Sequence, residues 1–227
     1  YIGRCQSFDK SSRRARKRNH SQSLRKSIYI LVDGESEQTY LQEYNQVYLR
    51  RKNPQVSLSI RPKFFNNNLN GKEGELKTAI DEGYDYVFWL VDYDVILKEE
   101  REGASTKKKL QHIDQKLLKQ AAKRNCYYET LYMLPCLEFW FLLHFENTTK
   151  SYLTCTEVEK TLRRYLPDYS KKQLWIKQHL LEKLSPYFQK AIERAVKLYH
   201  YPLTDTQARA DIGQLFAKLA SDLNLIY

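Results

Sequence analysis

The sequence predicts an α/β protein: a mostly parallel sheet flanked by helices, followed by a helical extension at the C-terminal end. Three observations predict it. Residues 28–32 and 86–91 are apolar runs without alternation, as strands buried on both faces are. Both runs end abruptly in acid, at Asp33 and Asp92, and ligands of open α/β sheets bind beyond the carboxyl ends of such strands. Strand-like and helix-periodic segments then alternate as far as residue 145.

The elements follow in order. Residues 1–26 hold nine Lys/Arg against one acid, a net of +8, and show no hydrophobic periodicity. They are expected to form a flexible basic arm, with 27–150 as the catalytic core and 151–227 as a helical region packed on it. A strand at 27–33 leads through Asp33-Gly34-Glu35-Ser36 into a helix at 37–51. There Tyr40, Leu41, Tyr44, Val47 and Tyr48 recur at helical spacing, and Asn53-Pro54 ends it. Alternation of Val56, Leu58 and Ile60 predicts a second strand at 56–62. The Asn- and Gly-rich stretch 66–74 reads as a loop, and 75–82 as a short helix stopped by Gly83. The strand at 86–91 follows, then a charged, exposed stretch at 96–109. A helix at 110–124 carries Ile113, Leu117, Leu118 and Ala121 on one face. A strand at 127–134 and a buried helix at 136–145 complete the alternation. From residue 155 only helices are expected, near 155–165, 170–182, 186–199 and 206–222.

Composition bounds the function. The 227 residues are 42% hydrophobic and 13% aromatic, with eighteen tyrosines, which excludes wholesale disorder and allows a real core. The net charge is +11, of which all but +3 lies in the arm. Arg13, Arg14, Arg16, Lys17, Arg18, Arg25 and Lys26 there are candidate phosphate contacts. The four cysteines, Cys5, Cys126, Cys136 and Cys155, lack CxxC spacing and read as free thiols of a reducing cytoplasm. No secretory signal is legible. The longest apolar stretch, 137–145, is too short for a membrane span and contains Glu138 and His144.

Three acidic clusters carry the chemistry. The first is Asp33-Gly34-Glu35-Ser36-Glu37, where glycine permits a tight turn and Glu37 can point its carboxylate back toward Asp33. Simple capping by Asp33 and dipole complementation by Glu37 is the plain alternative. The second is Asp92-Tyr93-Asp94, whose carboxylates converge whether the strand continues or the chain turns. The third is Glu138 in an otherwise apolar helix, a buried acid that needs a metal or a cationic partner. Acids gathered at one sheet edge repel one another, and a divalent cation lets them all stay ionised. His144 reads as a hydrogen-bonded core residue before a base. The stretch 152–183, with Arg163, Arg164, Tyr165, Lys171, Lys172, Trp175 and Lys177, reads equally as a nucleic-acid groove or a solvated face. No P-loop, GxSxG or HExxH is present, and the remaining histidines are scattered.

Taken together, the clusters resemble the Toprim fold, a Rossmann-like sheet with an acid-Gly-x-x-acid turn after the first strand and Asp-x-Asp after a later one. The sequence most resembles the RloB family of bacterial anti-phage defence-associated proteins. The resemblance rests on Asp33-Gly34-Glu35-Ser36-Glu37, Asp92-Tyr93-Asp94, the segment Pro135-Cys136-Leu137-Glu138-Phe139-Trp140, and Tyr201-Pro202-Leu203-Thr204. Asp33 stands where the family has glutamate, and Leu134 where a polar residue is usual. The resemblance implies a cytoplasmic Mg²⁺- or Mn²⁺-dependent nuclease, a hydrolase of phosphodiesters acting in defence. Asp33, Asp92 and Asp94 would hold metal, with Glu37 and Glu138 completing the catalytic set. RNA such as tRNA is preferred over DNA as substrate, and another defence-system component is an expected partner. Oligomeric state is left open. The alternative is a non-catalytic nucleic-acid-binding or sensor subunit.

Overall fold

The computed structural model describes residues 25–62 and 68–225. One five-stranded sheet runs through it in the order β2-β1-β3-β4-β5. The strands are β1 (Lys26–Val32), β2 (Val56–Pro62), β3 (Tyr86–Asp92), β4 (Tyr127–Leu134) and β5 (Arg209–Ala210). The first four are parallel, and β5 closes the edge antiparallel to β4. Crossovers pass through α1 (Glu35–Tyr44), prolonged as π-helix over Asn45–Arg50, through α2 (Leu69–Asp81), and through the pair α3 (Tyr93–Arg101) and α4 (Thr106–Arg124). After β4 come α5 (Leu137–Phe145), α6 (Cys155–Leu162), α7 (Gln173–Trp175), α8 (Leu181–Leu184), α9 (Phe188–Tyr199) and α10 (Ile212–Leu223).

Strand residues alternate between two cores, which is why the strands read as continuously apolar. Ile28, Ile30, Phe88 and Leu90 face one core with α1, α5, α9 and α10, whereas Tyr29, Leu31, Val87 and Trp89 face the other with α2, α3 and α4. The order of strands places the functional edge. From β1 the chain leaves outward to β2, then returns to β3 on the opposite side of β1 and continues to β4. The point of reversal therefore lies between β1 and β3, and open sheets of this kind bind ligands in a crevice beyond the carboxyl ends of such strands.

The α/β architecture is the expected one, and four local expectations are corrected or refined. The loop at 66–74 is largely helix: α2 starts at Leu69, and the Asn68 side chain accepts the Gly71 N–H at 2.8 Å as its cap. The stretch 96–109 is exposed over most of its length, but α3 buries Ile96 and Leu97 and α4 already begins at Thr106. The C-terminal region is not helical throughout, since β5 interrupts it. A buried pair holds that turn, with Arg209 Nε donating to Asp211 Oδ1 at 2.7 Å and Asp211 Oδ2 accepting the Tyr132 N–H at 3.0 Å. Cys136 and Cys155 are not both free thiols: they form a disulfide between the start of α5 and α6, while Cys126 remains free and buried.

Candidate active site

Parallel pairing of β1 with β3 sets Leu31 beside Trp89. Both strands then end together, which brings Asp33 and Asp92 to the crevice. Asp33 Oδ2 accepts the Asp92 N–H at 3.4 Å. Of the two geometries open to Asp92-Tyr93-Asp94, the chain turns: Asp92 is the N-cap of α3 and Asp94 sits in its first turn. Glu37 lies one turn into α1, and its carboxylate folds back over Gly34. Gly34 itself is extended (φ −129°), a conformation open to any residue. What glycine provides there is room for the Glu37 carboxylate, which a Cβ would displace.

The electrostatics of this edge are those of crowded, buried acid. Burial, then the charges of Asp92, Glu138 and Asp33, push the Glu37 carboxyl up to about 7, against the pull of its own backbone N–H. Burial, then Asp33 and Asp94, push Asp92 up to about 6, with Lys72 acting the other way. The Oδ1 atom of Asp92 is buried with no hydrogen-bond partner among the described residues. Glu37 thus feels the charges of Asp33, Asp92 and Glu138, and Asp92 those of Asp33 and Asp94.

Sequence reasoning missed Lys72. Its ammonium lies 2.7 Å from Asp33 Oδ1, with both side chains mostly buried (7% and 14% exposed). Lys72 sits in the first turn of α2, in the stretch read as loop. The N-cap Asn68 is the signal that reveals the helix, and the glycines at 71 and 74 obscure it.

Glu138 finds the cationic partner that a buried acid requires. Lys171 lies 3.1 Å from its Oε1, and the Tyr169 hydroxyl donates to the same oxygen at 2.8 Å. Lys171 also pairs with Glu159 at 2.8 Å and lies 3.2 Å from Cys155 Sγ. Among the described residues, Cys136, Glu138 and Cys155 are the one set of three ligand-type groups whose ligand atoms all lie within 4.8 Å of one another. The Lys171 ammonium and the disulfide already satisfy that cluster. Asp33, Asp92 and Asp94 form no such set, so a divalent cation there, such as magnesium, would be held in part through its own waters. The unpartnered Asp92 oxygen and the excess of acid over Lys72 fit such a cation.

The other candidates separate clearly. His144 is fully buried, its Nδ1 lies 3.0 Å from the Trp140 carbonyl oxygen, and burial pushes its pKa down to about 3. It is a core residue. From the stretch 152–183, Tyr165 stacks on Phe145 and Trp175 packs edge-on to Tyr169. Arg13, Arg14, Arg16, Lys17 and Arg18 lie outside the described residues. Arg25 is exposed, and Lys26 opens β1 with its ammonium 2.8 Å from Asp85. Among the described residues no helix is long and apolar enough to cross a membrane.

No curated protein and no solved structure matches the chain. The family model for RloB-like proteins matches residues 28–220, a span that begins within β1 and contains both acidic strand ends, Lys72, the Glu138 helix and the β5 turn. A match over that much of the sequence settles kinship: the chain belongs to the RloB-like family.

Proposed function

We propose that this protein is a metal-dependent nuclease that hydrolyses phosphodiester bonds at the β1–β3 crevice. The observation that carries the reading is the buried acid cluster at the switch point of the sheet, above all the unpartnered Oδ1 of Asp92 beside Asp33 and Glu37. Asp92, Asp33 and Asp94 would hold Mg²⁺ or Mn²⁺. When bound, such an ion polarises a phosphodiester and offsets charge on the attacking and leaving oxygens. Lys72 supplies a fixed positive charge and holds the Asp33 carboxylate in place. Glu37 lies within the same cluster and is the candidate to take a proton from an attacking water. Glu138, tied to Lys171 and Tyr169, is a positioning group that keeps the start of α5 facing the site.

For substrate, a folded RNA such as tRNA is favoured over DNA, and anti-phage defence is the setting we propose, supported by the sequence's resemblance to defence-associated proteins. The rival reading is a non-catalytic nucleic-acid-binding or sensor subunit, in which the arm's cations do the work. The test is cleavage of tRNA, other RNA and single- and double-stranded DNA with Mg²⁺, with Mn²⁺ and with EDTA. Wild type and Asp92→Ala run in parallel. Metal-dependent cleavage that disappears in Asp92→Ala, with binding retained, supports the nuclease. Binding without cleavage in both proteins favours the subunit.

A further inference from the structure

The far side of α2 and α4 carries a second feature that the sequence did not single out. The two helices enclose an open groove of about 560 Å³ lined by Lys77, Asp81, Lys116, Lys119, Lys123 and Arg124, with Gln120 between them. Five cations thus face one acid, in a chain whose 201 residues beyond the arm carry a net charge of only +3. The nearby acids are already used. Asp81 pairs with Arg124 at 3.2 Å, Glu73 with Lys116 at 3.3 Å, and Asp114 is turned inward to the Thr130 hydroxyl. Lys77, Lys119 and Lys123 are exposed and have no ion-pair partner among the described residues. On α4 the cations at 116, 119 and 123 recur on one face and span about 10.5 Å of helix axis. Lys77 stands opposite them on α2, five residues or about 7.5 Å along the axis from Lys72, which touches Asp33.

A purely solvated face needs no such concentration, and like charges gathered in one groove repel unless an anion lies between them. We propose that this groove is a binding track for a nucleic-acid backbone, engaging successive phosphates through Lys77, Lys119 and Lys123. The polymer would be led along α2 toward the acidic crevice. The inference rests on the nuclease reading for its partner and adds the site by which the polymer is held. Contacts of this kind are to phosphate, so they position the strand without reading its bases.

The experiment is fluorescence anisotropy of the full chain with a short labelled oligonucleotide, as RNA and as DNA of the same sequence. EDTA is present so that nothing is cut, and the salt concentration is varied. Two triple variants are compared with wild type after circular dichroism confirms that both fold. One is Lys77→Ala/Lys119→Ala/Lys123→Ala in the groove. The other is Lys160→Ala/Lys190→Ala/Lys197→Ala, three exposed lysines of α6 and α9 on the opposite side of the sheet, with the same change in net charge. The groove variant is expected to bind both polymers about tenfold more weakly, and its log–log salt slope to fall by roughly 2, three contacts at about 0.7 each for a single strand. The control stays within about twofold of wild type. Equal weakening in both variants would reduce the effect to net charge and overturn the proposal, as would a groove variant that binds like wild type. Wild-type protein that binds neither polymer sinks the nuclease reading and the track together. Intact binding with an unaffected groove variant sinks the track alone.

Discussion

Replacing Lys72 by methionine removes the ammonium from the acid cluster while keeping the length of its stem. Asp33 then remains mostly buried, with the Asp92 and Glu37 carboxylates nearby and only the 3.4 Å contact from the Asp92 N–H to hold it. Breaking a buried ion pair by deleting one partner costs about 3–5 kcal/mol, chiefly because the other charge is left uncompensated. The 14% exposure of Asp33 places the expected loss near the lower end, about 3 kcal/mol. For a domain of this size that corresponds to a fall in Tm of roughly 6–12 °C. The assay is thermal unfolding in EDTA, repeated with increasing Mg²⁺. An ion held by the same carboxylates stabilises the folded state by mass action, so Lys72→Met should recover more of its Tm on adding Mg²⁺ than wild type gains. Asp33→Asn should cost less than Lys72→Met, because Lys72 still has Asp92 beside it. A Lys72→Met variant within about 1 kcal/mol of wild type in EDTA, or one indifferent to Mg²⁺, would refute the account of Lys72 as the counter-charge of a cation-seeking cluster.

Two further outcomes are expected. Gly34→Ala places a methyl where the Glu37 carboxylate lies, so that carboxylate must shift from its present place. Cleavage should fall at least tenfold while Tm changes little, since the backbone at residue 34 suits alanine, and a fully active Gly34→Ala would show that Glu37 is not needed where it stands. His144 has a folded pKa near 3, below the unfolded value of about 6.5, so the unfolded chain takes the proton first. Its contribution is fully present above about pH 6.5 and is lost as pH falls toward 3, by up to about 5 kcal/mol. His144→Leu should therefore flatten the acid limb of the Tm–pH curve relative to wild type. An unchanged difference between the two proteins from pH 7 to pH 4 would contradict the burial of a neutral imidazole.

The acidic strand ends were legible because their causes are local. A run such as 86–91 is apolar at every position only when both faces are covered, and Asp92 directly after it marks where the covering stops. Glu37 was legible too, since one turn of helix returns it over Gly34. His144 also followed from its neighbours, lying on a helix whose other side chains, Glu138 excepted, are apolar.

What escaped the sequence depends on partners far along the chain. Lys72 matters only because α2 lies against the end of β1, beside Asp33, 39 residues earlier in the chain, and its helix is hidden by glycines that a cap at Asn68 overrides. The two-residue β5 is too short to carry a period. It exists because β4 has an open edge and because Arg209 and Asp211 satisfy each other in the core beside it. The cysteines, 19 residues apart without a motif, meet because α6 packs across the start of α5. The lysines of the α2–α4 groove look like ordinary surface charge in each helix. Hydrophobic period and abrupt acid are properties of neighbouring residues, so the α/β class and the acidic edge were already present in the linear chain. Counter-charges, the disulfide and the basic groove are properties of surfaces that meet, and only packing brings those surfaces together.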